Sequence, residues 1–209
     1  LHLAAKSSTA EIISFLLEHG GKAGVTDEMG LTPLMLAAAL NRNIDVTSTL
    51  LTSGAAVEPK DENGFNALHY AAGSSTAEAV SLLVQYGADI GERGNDGDTP
   101  LLLASKLNPD SGVIAVLLEA GSDIEARNSL GNTALIAASE NNPDAGVVIA
   151  LLQADADIEA RNTKNETPLY SAAVSNPNAE IVRALVEAGA NLHATYGPSN
   201  ISALSMAAG

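Results

Sequence analysis

Thr32-Pro33-Leu34-Met35-Leu36-Ala37-Ala38 is one of seven renderings of a single phrase. The others are Leu1-His2-Leu3-Ala4-Ala5, Asn66-Ala67-Leu68-His69-Tyr70-Ala71-Ala72, Thr99-Pro100-Leu101-Leu102-Leu103-Ala104, Thr133-Ala134-Leu135-Ile136-Ala137-Ala138, Thr167-Pro168-Leu169-Tyr170-Ser171-Ala172-Ala173 and Ser202-Ala203-Leu204-Ser205-Met206-Ala207-Ala208. Their shared leucines, from Leu1 to Leu204, are spaced by 33, 34, 33, 34, 34 and 35 residues. A second column keeps the same register: Gly20, Gly54, Gly87, Gly121 and Gly189 follow a Leu-rich pair, with Asp155 in the sixth place. A fixed period of this length is the signature of a repeat architecture, in which one supersecondary unit is stacked on its copies.

Each copy carries its own start and stop signals. Thr32, Thr99, Thr133 and Thr167 stand where a side-chain oxygen caps a helix, and Pro33, Pro100 and Pro168 follow at the first helical position, where a missing N–H costs nothing. The Ala-Ala pairs keep that first helix thin enough for close neighbours. A second helix follows, with apolar residues at i, i+1, i+4 and i+5: Ile12, Ile13, Leu16, Leu17; Val113, Ile114, Leu117, Leu118; Val147, Val148, Leu151, Leu152; Ile181, Val182, Leu185, Val186. The glycine column suits the left-handed residue that ends a helix, and Asp61-Glu62-Asn63-Gly64 or Gly94-Asn95-Asp96-Gly97 are turn formers. Asp155 in a left-handed place should cost about 1 kcal/mol. The segments Asn108-Pro109-Asp110, Asn142-Pro143-Asp144 and Asn176-Pro177-Asn178 read as variant helix–helix turns, with Asp or Asn near the second helix start.

One such unit cannot bury both faces of its helix pair, whereas side-by-side stacking buries a continuous layer. The expected fold is therefore an all-α solenoid of helix-turn-helix units with protruding turns: six helix pairs and one extra helix. With about 10 Å between packed helices, five steps make it about 50 Å long. The phrase Thr-Pro-Leu-His-x-Ala-Ala and the Gly-Ala-Asp that follows resemble the ankyrin-repeat family over the whole chain. On that reading complete units occupy 27–60, 61–93, 94–127, 128–161 and 162–195, with partial units at 1–26 and 196–209. The family's motif histidine survives only as His2 and His69. The first motif lacks Thr-Pro and the last stops before a second helix, so the sequence is expected to be a stretch of a longer chain.

Composition narrows the function. The chain has 209 residues, 25 acidic against 10 basic, hence 10 − 25 = −15 at neutral pH. Such a surface repels phosphate backbones and anionic headgroups, which argues against nucleic-acid partners. The longest uncharged stretch, Met29 to Asn41, is too short to cross a membrane. With no cysteine there is no disulfide, thiol nucleophile or Cys-based metal site. No leader is readable, and the cytoplasm is the default compartment. No Gly-x-Ser-x-Gly turn occurs and no histidine has a second at metal-ligand spacing, so neither catalysis nor a cofactor is expected. The segment Gly91 to Asp98 lacks the ligand order of a calcium loop and the Gly-Lys-Ser/Thr of a phosphate loop, and the period already explains it as a turn.

A stacked solenoid of this kind resembles a binding module, and the resemblance implies that a partner protein sits on the concave face built from turn tips and first helices. The side chains expected there are Met29, Leu31, Phe65, Asp96, Asp98, Leu130, Asn132, Lys164 and Glu166. The four apolar ones could anchor an interface or pack on the neighbouring turn. A cation column, Lys60, Arg93, Arg127 and Arg161, could read an acidic ligand. It could also form a neutralising ladder with Glu58, Glu125 and Glu159, which is the simpler expectation. A basic or neutral protein surface suits the net charge, and a monomer is expected. The alternative is the recognition arm of a larger enzyme, channel or secreted effector.

Overall fold

Side-chain caps start the first helix of every unit from the second to the sixth. In the computed structural model, which describes residues 1–196 and 201–202, Thr32 Oγ1 accepts from the Met35 N–H at 3.2 Å, and Thr99, Thr133 and Thr167 repeat that bond at 3.3, 3.4 and 3.4 Å. Asn66 takes the role for His69 at 3.1 Å. Pro33, Pro100 and Pro168 sit at the helix start, where they cost no hydrogen bond.

The helices, in chain order, are α1 (His2–Ser7), α2 (Ala10–Glu18), α3 (Pro33–Leu40), α4 (Ile44–Thr52), α5 (Ala67–Ser74), α6 (Ala77–Gln85), α7 (Pro100–Leu107), α8 (Ser111–Glu119), α9 (Ala134–Asn141), α10 (Ala145–Gln153), α11 (Pro168–Ser175) and α12 (Ala179–Glu187). They form six pairs among the described residues. First helices pack on first helices in one row, α1 to α11, and second helices pack in a second row, α2 to α12. Ala37, Ala71, Ala104, Ala138 and Ala172 are all fully buried between them, so a bare methyl stands wherever the first helices approach. Leu34, Leu68, Leu101, Leu135 and Leu169 fill the layer behind, none more than 2% exposed. This is the solenoid that the period implies. A short antiparallel ladder is added at its end, β1 (Thr195–Tyr196) on β2 (Ile201–Ser202), paired Thr195 to Ser202 and Tyr196 to Ile201. The extra helix expected after Ser202 lies outside the described residues.

The second helices end on left-handed residues. Gly20, Gly54, Gly87, Gly121 and Gly189 have φ between 85° and 96°, and Asp155 is held at 62°. An L side chain is strained there, least for Asp and Asn. Asp155→Gly is expected to raise stability by about 0.5–1 kcal/mol. The check is the urea midpoint of the two proteins at equal m, and an unchanged or lower midpoint would show that the aspartate carries no strain at this position.

Candidate partner-binding surface

Four of the turns that link the units are each built by one side chain. Asp61 Oδ1 accepts from the N–H groups of Asn63 and Phe65 at 2.9 and 2.8 Å, and Asp27, Asn128 and Asn162 staple their own turns in the same way. Neighbouring turns are then tied through the backbone. Glu62 N donates to Met29 O at 3.2 Å, Asn95 N to Asn63 O at 2.8 Å, Ser129 N to Asp96 O at 2.8 Å and Thr163 N to Leu130 O at 2.9 Å. One unit lacks the staple. At Gly94 a Cβ would stand 2.2 Å from the Phe65 ring, so the ring occupies the space where the other units carry Asp or Asn.

This ladder sorts the expected contact residues into two groups. Met29 and Leu130 project from the tips at 58% and 55% exposure, and Asp96 and Lys164 are exposed beside them. Asp98 and Asn132 are buried instead: Asp98 Oδ1 accepts from Asn128 Nδ2 at 2.7 Å, and Asn132 Oδ1 accepts from Asn162 Nδ2 at 3.0 Å. Each is a rung between successive turns. Glu166 is half-buried and accepts from Asn162 Nδ2 at 2.8 Å. Leu31 is half-buried, and its carbonyl meets His2 Nε2 at 2.9 Å. Phe65 stacks on His69 with centroids 5.1 Å apart and meets Tyr70 edge-on at 6.3 Å.

The cation column is a ladder within the scaffold in which the arginines bond to backbone carbonyls, while Lys60 at its head pairs with a carboxylate, Glu92 rather than Glu58. Arg93 Nη1 donates to Gly97 O at 3.0 Å and Arg127 O at 2.7 Å; Arg127 Nη1 donates to Gly131 O at 3.0 Å and Arg161 O at 2.6 Å. Arg161 Nη1 donates to Asn165 O at 3.1 Å. A guanidinium presents several donors in one plane, so a single side chain can close its own turn and clasp the next. Glu125 and Glu159 reach forward to the N–H groups of Asp157 and Asn191, at 2.8 and 2.7 Å. Lys60 pairs with Glu92 at 2.7 Å, and this hydrogen-bonded ammonium holds the Glu92 carboxyl below its usual range.

The first helices add side chains that the motif reading did not single out. Two residues past the first six shared leucines stand Leu3, Leu36, Tyr70 and Leu103, followed by Ala137 and Ser171, so this column is large in the first four units and small in the fifth and sixth. At the helix ends Leu40 and Leu107 are 52% and 54% exposed, and Leu3 is 84% exposed. Gly73 leaves a hollow of about 130 Å³ walled by Phe65, His69, Tyr70, Leu103 and Leu107, which joins the turn to the first-helix row. Burial pushes the His69 imidazole down, and its ring nitrogens meet Asn66 Oδ1 at 2.7 Å and Asp98 O at 3.2 Å. Burial and the hydrogen bond to Asp61, 2.6 Å, push the Tyr70 phenol up. Both rings are held in place by these contacts as walls of the hollow. Among the described residues no three His, Asp or Glu side chains converge as metal ligands, and no helix is long and apolar enough to cross a membrane.

A family model of ankyrin repeats matches in three copies, at residues 1–61, 38–128 and 101–196. The chain belongs to the ankyrin-repeat family. It is 35% identical over 88 residues to a putative ankyrin repeat protein of Acanthamoeba polyphaga mimivirus, a match covering 41% of this chain and 12% of that protein. It is 34% identical over 111 residues to the human SH3 and multiple ankyrin repeat domains protein 2, covering 53% of this chain and 6% of the other. With the mouse B-cell lymphoma 3 protein homolog it shares 35% over 105 residues, covering 50% and 23%. The chain therefore spans less than a quarter of each of these relatives. Ankyrin repeats in general are protein–protein interaction modules, and the family is typically non-catalytic.

Proposed function

We propose that this ankyrin-repeat stack holds a partner protein on the surface shared by its turn tips and first helices. The observation that supports the reading is a set of large apolar side chains on that surface which the fold leaves more than half exposed: Leu3, Met29, Leu40, Leu107 and Leu130. Asp98, Asn132 and the arginines stiffen the turns that display them, so little ordering entropy is lost when a partner arrives. At a net charge of −15 a basic or neutral protein surface fits best, with charge speeding encounter more than it deepens affinity. The side chains assigned to contact are Met29, Asp96, Leu130 and Lys164, together with Leu40 and Leu107. The chain acts as a monomeric scaffold in this reading.

The short share of each relative that it covers also favours a second reading, a recognition arm whose larger protein carries the activity. Both readings place the contact on the same surface. Photo-crosslinking separates that surface from the rest: benzoylphenylalanine at Met29 or Leu107 should capture a partner protein in native extract, and the same group at Phe15 on α2 should not. Capture from Phe15 alone would remove the turn-tip surface from consideration.

A further inference from the structure

The second-helix row carries a groove that the turn-tip surface does not use. Across α4, α6 and the facing side of α8 lies a hollow of about 460 Å³ walled by Ile44, Asp45, Glu78, Ser81, Leu82 and Val116. It is open because Ser48 on α4 and Ser81 on α6 stand at the helix position that holds Ile149 on α10 and Arg183 on α12. Ile44, Leu82 and Val116 are half-buried and give the groove an apolar floor. Asp45 and Glu78 are exposed at one end of it, in the first turns of their helices.

Those two carboxylates have a helix-dipole role, and its size shows that it does not exhaust their charge. Each helix N-terminus is worth about +0.5 of an elementary charge, so the two together offset about half of the −2 and leave roughly −1. The ion pairs among the described residues are Lys60 with Glu92 and Arg183 with Glu180, so no cation side chain neutralises Asp45 or Glu78. The equivalent first-turn acid of α12, Glu180, does have its arginine, at 3.1 Å. Along α6 the groove runs from Ala77 to Gln85, eight residue steps, which at a rise of about 1.5 Å each is roughly 12 Å, or about two turns of a docked helix.

We propose that this groove docks a cationic amphipathic segment of a partner protein, with a large apolar side chain between Leu82 and Val116 and a Lys or Arg against Asp45 and Glu78. The segment suits both ends of the groove: an apolar residue and a cation one helical turn apart present the two chemistries that the walls display. This surface is separate from the turn tips and first helices, so it stands or falls independently of the function proposed above.

The probe is an acetylated 14-residue peptide that repeats Leu-Lys-Lys-Leu-Leu-Lys-Leu, titrated into the ¹⁵N-labelled full chain. Amide shifts are expected to concentrate on residues 44–48, 77–85 and the part of α8 around Val116. The charge reversal Asp45→Lys with Glu78→Lys, and separately the charge-neutral plug Ser81→Trp, should each weaken binding by about tenfold or more. An equal reversal at the turn tips, Glu28→Lys with Glu62→Lys, should change it by less than about twofold. Circular dichroism confirms that each variant is folded, and should the Ser81→Trp protein fail to fold, the double reversal decides alone. Shifts that fall on the turns or first helices, or a groove reversal no more damaging than the turn-tip reversal, would mean that net charge alone attracts the peptide and would overturn the proposal.

Discussion

Leu101→Ala should lower folding stability by about 3–4 kcal/mol, the upper part of the range for a buried leucine whose site cannot collapse. Leu101 is 1% exposed on α7, which packs between α5 and α9, so the lost methyls face rigid helices on both sides. In a stack each unit touches only its neighbours, and stability is the sum of unit terms and interface terms. A cavity at this point weakens two interfaces at once. The urea transition should move to lower concentration and separate into two steps, each with a smaller m than the parent because each exposes only part of the surface. Leu3→Ala, at 84% exposure, should stay within about 0.5 kcal/mol of the parent. If Leu101→Ala unfolds in a single step with an unchanged m, the units are coupled by more than their shared layer.

What could be read from the sequence is what each unit repeats by itself. Leu34, Leu68 and Leu135 face the same environment in successive copies, so one spacing describes them all, and the Thr caps and left-handed Gly column are local in the same sense. The features that escaped are made between units. Asp98 and Asn132 hold turn positions that imply display, yet bonds from Asn128 and Asn162, each 30 residues on, turn them into rungs. Gly94 looks like an ordinary turn glycine until the Phe65 ring is seen in the place of its missing Cβ. The arginine column was visible as a column, but whether it meets Glu58 and its relatives or the next turn's carbonyls depends on reach between stacked turns. Leu40 and Leu107 stand six residues past Leu34 and Leu101, off the stripe that carries the core, and the motif gives no sign that they share a surface with the turn.

The most consequential of these inter-unit features is Asn142, and Asn142→Ala should cost about 3 kcal/mol. Its side chain is fully buried; Nδ2 donates to Ser105 O and Asn108 O, both at 2.9 Å, and Oδ1 accepts from Asp144 N at 2.9 Å. The reason lies one unit back. Near the end of α7 the Ser105 carbonyl would ordinarily take the N–H four residues later, but that residue is Pro109 and has none. Asn142 supplies the missing donor from the next unit, and Asn176 does the same for Ser139 O at 3.1 Å, where Pro143 stands four residues on. Alanine leaves two carbonyls and one N–H without partners, at about 1–3 kcal/mol for each that water does not reach. Asn142→Asp keeps the acceptor but loses both donors and buries a charge, so it should cost at least as much. Asn43→Ala, which removes only the exposed cap on Asp45 N at 3.0 Å, should cost about 1 kcal/mol. Urea titrations of the three variants test the ranking. If Asn142→Ala proves no worse than Asn43→Ala, the Asn-Pro turns are held by packing alone and their cross-unit bonds add nothing.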